Sequence, residues 1–260
     1  MNNKEYERFY YQKAEGNLFV SGERGAIADF IREHTPSGAV LEVGCGTGEM
    51  LNVLPDTIHY TGVDVSSLAI EEAQKRHKRE RASFRLLAAG TSALPFPEST
   101  FDIVVSVYAL EHFRAPKKYL REMVRVLKKG GHLILLAPNL ELPTAVPNAI
   151  RHTSHRHKAL FIGRRLVDYG KRVFGNYSFR TIPENYTEAT GLYEKPDDDL
   201  THVVSSFEVI RFLEQHCHLQ TMRANQLGKG SGVKHMAKRL TTFLPAMRYF
   251  GTVLFVIMRK

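Results

Sequence analysis

The sequence predicts an α/β fold, with a mostly parallel sheet, helices on both faces and an insertion after the fifth strand. Three observations predict it. Strand-length apolar runs alternate with helix-length segments of 3.6-residue period between residues 24 and 137. The first apolar run, Ala39–Val43, enters a turn with glycines at 44, 46 and 48. The alternation then breaks at Pro138 and resumes at Ser205. Repeated strand–helix–strand order implies right-handed crossovers, and so a sheet covered on both sides.

Each element has its own signal. Ile27, Phe30, Ile31 and His34 share one helical face over residues 24–34, and the helix must stop before Pro36. Ala39–Val43 and Ile58–Val63 read as the first two strands. Ser66 or Ser67 can cap the next helix, which is acidic early (Glu71, Glu72) and basic late (Lys75, Arg76, Lys78, Arg79), as the helix dipole favours. Phe84–Ala88 and Phe101–Val107 are strands three and four. Pro116 opens a helix with Leu120, Met123, Val124 and Leu127 on one face, closed by Lys128, Lys129 and Gly130. His132–Ala137 is the fifth strand.

Residues 138–200 contain Pro138, Pro143, Pro147, Pro183 and Pro196 and are read as the insertion, with one amphipathic helix presenting Ile162, Leu166, Tyr169 and Val173. Ser205-Ser206-Phe207-Glu208 is a capping box, and Ile210, Leu213 and Cys217 follow at helical spacing. A strand over 218–227, a helix with Met236, Leu240 and Phe243, and a last strand over Thr252–Met258 complete the same sheet. The expected organisation is a cofactor-binding core with an N-terminal lid over 1–137, an acceptor-side cap over 138–200 and a sheet-completing segment over 201–260.

Composition bounds the function. Of 260 residues, 43% are hydrophobic and 24% charged, as in globular domains. No apolar run approaches the roughly 20 residues of a membrane span, and the polar start is unlike a secretory signal. Two cysteines, Cys45 and Cys217, make neither a metal pair nor a disulfide framework, so a cytoplasmic location is expected. Net charge is +9, concentrated in residues 151–180, where eight Lys or Arg face one acid, Asp168. Such a stretch is either a solvated basic loop or a surface for an anionic partner. No metal is expected: Asp197-Asp198-Asp199 beside His202, and His152, His155 and His157, read as solvated groups.

The chemistry sits in Val40-Leu41-Glu42-Val43-Gly44-Cys45-Gly46-Thr47-Gly48. Nicotinamide-binding turns read G-x-G-x-x-G, whereas here the third glycine comes one residue early and Glu49 follows. Asp64 ends the second strand 20 residues after Gly44, where a carboxylate can accept hydrogen bonds from both hydroxyls of a ribose. A nucleoside-containing ligand is therefore expected. With Leu94-Pro95-Phe96-Pro97, Phe101-Asp102-Ile103-Val104, Leu110-Glu111-His112 and Arg125 to Gly131 in the same order, the chain resembles the class I S-adenosylmethionine-dependent methyltransferases. Within them it is most similar to the small-molecule enzymes of the ubiquinone/menaquinone-biosynthesis type.

The resemblance implies a Rossmann-like seven-stranded sheet, S-adenosyl-L-methionine as cofactor, and a set of site residues. Gly44, Cys45, Gly46 and Gly48 would pass under the methionine portion, and Glu42 would orient that loop or the amino group. Asp64 would hold the ribose, and Val65 would pack on adenine. Gly90, Thr91 and Ser92 would line the adenine edge, although relatives often carry an acid where Gly90 stands. Ser106, Val107 and Tyr108 would lie near the reactive methyl. Tyr10 and Tyr11 would belong to a segment closing over the cofactor, while Arg24 could meet its carboxylate or lie at the surface.

Methyl transfer requires in-line alignment at about 3–3.5 Å. A hydroxyl acceptor also needs a base, for which His112 and then His202 are the candidates. The acceptor is expected to be a small, lipid-linked or nucleotide-linked molecule, anionic or met at a membrane face, methylated on oxygen, with carbon as the alternative. Motifs of exocyclic-amine and cytosine-carbon methylation are absent, and nucleic acid is not the expected partner. A nicotinamide-dependent reductase and a non-enzymatic S-adenosylmethionine- or nucleic-acid-binding protein are the competing readings.

Overall fold

In the computed structural model the described residues are 21–88, 91–142, 144–147, 150, 153–172, 174–182, 202–224, 249 and 253–260. The elements run α1 (Ser21–His34), β1 (Ala39–Val43), β2 (His59–Asp64), α2 (Ser67–Arg76), β3 (Ala82–Leu86), β4 (Phe101–Val107), α3 (Pro116–Val126), β5 (Leu127–Pro138), α4 (His155–Arg172), α5 (Ser206–His216), β6 (Gln220–Ala224) and β7 (Val253–Arg259). The helix expected around Met236, Leu240 and Phe243 lies outside the described residues.

Seven strands form one sheet in the order β3-β2-β1-β4-β5-β7-β6. β1 through β5 pair in parallel, and β7 runs antiparallel to both β5 and β6. The sheet is buried on both faces because alternate residues of the central strands feed two cores. Leu41, Val43, Val104, Leu133, Leu135 and Val256 pack with Leu120 and Met123 of α3 and Ile210 and Leu213 of α5. Val40, Ile103, Val105, Ile134 and Phe255 pack with Ile27, Phe30 and Ile31 of α1 and Ile70 and Ala73 of α2. At about 1.5–3 kcal/mol for each fully buried large aliphatic side chain, these two cores dominate the folding energy.

Several boundaries differ from the sequence expectation. β3 starts at Ala82, since the Arg81 carbonyl already accepts from Tyr60 N–H. α2 ends at Arg76 because His77 is extended, leaving Lys78 and Arg79 beyond it. Lys128, Lys129 and Gly130 do not close α3 but open β5, where Leu127 pairs with Phe101 and the Lys128 ammonium lies 2.9 Å from the Asp102 carboxylate.

The helix of the insertion is present but rotated by one position from the expected face. The structure buries Phe161, Arg165, Asp168 and Arg172 and leaves Leu166 56% exposed. The reason is a set of polar partners from distant segments. Arg172 reaches Glu141 (2.8 Å), Glu208 (3.3 Å) and Ser205 Oγ (3.1 Å). Arg165 donates to the carbonyls of Leu140, Glu141 (3.2 Å) and Ala145 (2.6 Å). Asp168 pairs with Arg180. Tyr169 donates to Glu141 (3.0 Å).

Ser205 caps α5 by accepting from Glu208 N–H (3.2 Å), so half of the capping box forms. The Glu208 carboxylate does not reach back to the cap. It accepts instead from Ser178 and Phe179 N–H, both at 3.1 Å, and from Arg172. Val203 and Ile150, Phe161 and Ile182 form a small third core under this junction. Residues 138–182 are thus fastened to the start of α5 by buried charge as well as by apolar contact. No helix among the described residues is long and apolar enough to cross a membrane.

Candidate functional site

In the order β3-β2-β1-β4-β5 the chain leaves β1 toward one side and returns through β4 on the other. The crevice at the carboxyl ends of β1 and β4 is thus the position where open α/β sheets bind ligands. The glycine turn is built there. Gly44, Gly46 and Gly48 all have positive φ, at 78°, 51° and 82°. A Cβ on Gly44 would meet Ala109 Cβ at 2.2 Å, and one on Gly48 would meet the Phe84 ring at 2.8 Å. The turn therefore requires glycine for backbone conformation and for close approach together.

Asp64 fixes this turn from the neighbouring strand. Its carboxylate accepts from Gly46 N–H (2.8 Å) and from Ser66 N–H (2.9 Å), while the Val63 carbonyl accepts from Gly44 (2.8 Å) and Cys45 (3.1 Å). Val65 is next to it and 56% exposed, an apolar side chain left open at the crevice. Cys45 is packed inside against Gly62, and burial together with Asp64 and Glu42 pushes its thiol pKa up, which keeps it protonated.

Glu42 lies beneath the turn, 2% exposed, with the Tyr60 hydroxyl donating to it. Burial raises its pKa to about 7, with Asp64 and Glu49 adding to the rise; Tyr60 and the Arg24 charge oppose it without overcoming it. Arg24, from the start of α1, is half-buried, and its Nε is covered without a hydrogen-bond partner among the described residues. A buried carboxyl short of positive charge and a covered guanidinium nitrogen short of an acceptor fit the ammonium and carboxylate ends of an amino acid. Tyr60 gives no signal in the sequence. It is placed by register: Glu42 pairs with Gly62, and Tyr60, two residues away on the same face, reaches across.

At the end of β4, Ser106 is fully buried and its hydroxyl donates to the Val43 carbonyl (2.9 Å), tying β4 to β1. Val107 is buried. Tyr108 has a left-handed φ of 50°, held by its N–H to the Leu136 carbonyl (2.7 Å) and its hydroxyl to Glu23 of α1 (2.7 Å). Glu23 is thus a residue that the sequence reading missed. Thr91 and Ser92 are half-buried, and the Thr91 carbonyl accepts from the Tyr119 hydroxyl. Tyr119, also missed, is felt electrostatically by Asp64, which with burial raises its pKa. Gly90, Tyr10 and Tyr11 lie outside the described residues.

The two histidines proposed as bases come together. His112 is half-buried in the short 3-10 turn Leu110–His112, and His202 N–H donates to the Glu111 carbonyl (3.3 Å) of that turn. His202 is 2% exposed and bridges to Thr181 as an isolated β-bridge. Burial, then the charge of His112, lowers its pKa to about 4. Neither ring nitrogen of His202 has a hydrogen-bond partner among the described residues. Asp197–Asp199 and His152 lie outside them. No group of three or more metal-capable side chains occurs among the described residues.

Part of the chain is similar to known methyltransferases. Residues 41–135 match a family described as a methyltransferase domain. Over 108 residues the chain is 36% identical to the phthiotriol/phenolphthiotriol dimycocerosates methyltransferase of Mycobacterium tuberculosis, covering 40% of this chain and 39% of that protein. Over 126 residues it is 34% identical to the demethylmenaquinone methyltransferase of Renibacterium salmoninarum, covering 48% and 51%. The matched region is therefore about two fifths to half the length of these relatives.

An S-adenosylmethionine-dependent methyltransferase from Mesorhizobium loti shares the fold, with a TM-score of 0.58 at 15% identity over 94% of this chain and all of that one. One from Methanosarcina mazei gives 0.51 at 21% identity, covering 89% and 96%. The glycine turn with its strand-end acid falls inside the matched segment, so the site lies in the part of the chain that is similar to methyltransferase domains.

Proposed function

We propose that the whole chain transfers a methyl group from S-adenosylmethionine to an oxygen of a small acceptor of lipid or quinone type. The observation that carries this reading is the glycine turn clamped by Asp64 beside a buried Glu42 and the covered Nε of Arg24. When bound, the cofactor supplies an electrophilic methyl on a sulfonium.

The chain's own residues do the rest. Glu42 takes the ammonium end and Arg24 the carboxylate end, while Gly44, Cys45, Gly46 and Gly48 give main-chain passage beneath. Asp64 holds the ribose hydroxyls, Val65 packs on the adenine face, and Thr91 and Ser92 border its edge. Ser106 fixes the end of β4 so that Val107 and Tyr108 shape the wall around the methyl. Tyr108, hydrogen-bonded to Glu23, couples that wall to α1. His112 takes the acceptor's proton. His202, held neutral by burial, is suited to orient the acceptor by a hydrogen bond rather than to carry charge.

The insertion over 138–200 caps the acceptor side. The named substrates of the relatives, dimycocerosates and demethylmenaquinone, support an acceptor of this class. An anionic acceptor and peripheral membrane contact belong to the same reading, supported by the basic insertion.

Transfer of radiolabelled methyl to extracted lipids and quinones, with wild type, Asp64→Ala and His112→Gln, tests this. Asp64→Ala is expected to weaken cofactor binding by at least about tenfold, as loss of a charged hydrogen-bonding group does. His112→Gln is expected to lower kcat by about 10²-fold with cofactor binding unchanged. Equal turnover in all three proteins would overturn the site assignment.

A further inference from the structure

We propose that the outward face of α4 docks on a bilayer surface bearing anionic lipids. This inference does not rest on the acceptor assigned above. It follows from the side of α4 that faces outward. An ordinary surface helix hides its apolar stripe and shows its charges. Here Arg165, Asp168 and Arg172 are buried and paired, and Leu160 (49%), Leu166 (56%) and Val167 (57%) are exposed. Gly163 and Gly170 lie on the same side, and a Cβ on either would meet nothing within 4 Å. Beyond the helix end Phe174 is 88% exposed. The result is an exposed side of the helix and its end, from Leu160 to Phe174, that carries apolar side chains.

Charge selects the occupant. Arg156, Arg164 and Lys171 of the same helix are exposed. Residues 142–182 contain one acid, Asp168, which is buried against Arg180. Leucine, valine and phenylalanine bordered by cations and free of anions make the composition of a helix lying in an anionic interface. A second copy of this chain would bring like charges together across a two-fold axis, and it is disfavoured on that ground. Phe174 also walls a recess of about 280 Å³ with Lys117, Arg121, Tyr177, Phe212 and His216. Lys117 and Arg121 add two further cations to the lining of that recess.

The test is vesicle co-sedimentation of the full chain at low and physiological salt. Phosphatidylcholine vesicles are compared with phosphatidylcholine–phosphatidylglycerol vesicles. Binding to the anionic vesicles only, weakening with salt, is the expected result. Arg164→Gln and Lys171→Gln should each lower it about fivefold. The pair Leu160→Glu with Val167→Glu should lower it at least about tenfold, with an unchanged melting temperature because both sites are exposed.

Three results would overturn the proposal. One is no binding to either vesicle. Another is a concentration-dependent dimer in sedimentation velocity that the Leu160/Val167 pair abolishes. The third is a melting temperature lowered by that pair. This last result would mean that the face is covered within the chain.

Discussion

Two buried residues with opposite pKa shifts make the site readable by titration. Glu42 is raised from the usual carboxylate value to about 7, so the folded state holds a proton that the unfolded chain releases above about pH 4.5. Its contribution to stability falls as pH rises from about 4.5 to 7, by about 3 kcal/mol at most. His202 is lowered to about 4, so the unfolded chain binds a proton that the folded state refuses. Its contribution grows over about pH 4 to 6.5, by a similar amount, and the two offset each other. Melting-temperature profiles should separate them. Glu42→Gln should steepen the rise in stability between pH 4.5 and 6.5, and His202→Gln should expose the fall. An identical profile in either variant and wild type would refute the corresponding shift. A cationic amine beside Glu42 favours the ionised carboxylate, so S-adenosylhomocysteine should bind more tightly as pH rises through about 7, with proton release measurable by calorimetry in two buffers. The turn and Asp64 were legible because glycine and a strand-end acid have local signatures. Tyr60, Glu23 and Tyr119 were not, because cross-strand register and packing from α1 and α3 place them.

At the scale of one element, α4 shows where periodicity stops informing. Its helical period could be read from residues 162–173, but the side it buries could not. Apolar spacing predicts a buried Leu166, and the structure buries Arg172 instead. The deciding partners, Glu141 and Glu208, stand 31 and 36 positions away in sequence. Removing the cation from such a cluster leaves two buried carboxylates without a countercharge. Arg172→Met is therefore expected to cost about 3–5 kcal/mol in urea denaturation. Adding Glu141→Gln and Glu208→Gln to it should recover much of that loss. If Arg172→Met alone unfolds at the wild-type midpoint, the network contributes nothing to holding the insertion on α5.

For the whole molecule, the strand order carries most of the argument, and most of it was visible early. β1 and β4 coincide with the expected Ala39–Val43 and Phe101–Val107. Strand–helix alternation predicts the parallel half, and the strand-like segments over 218–227 and 252–258 predict the rest. The antiparallel seating of β7 between β5 and β6 is a long-range pairing that no local pattern encodes. Ligand linkage offers a global check on the crevice. S-adenosylhomocysteine at 100 times its Kd should add about 2.7 kcal/mol of stability, a rise in melting temperature of about 5 °C or more. Asp64→Ala, binding about tenfold more weakly, should forfeit about half of that rise at the same concentration.

The seating of β7 also bears on synthesis. Until Val253–Arg259 has left the ribosome, Leu133, Ile134, Leu135 and Leu136 form a bare, fully apolar margin with unsatisfied main-chain groups. Nascent chains halted upstream of residue 253 would present that margin to one another. Premature termination upstream of residue 253 should therefore yield insoluble aggregates rather than a smaller soluble protein.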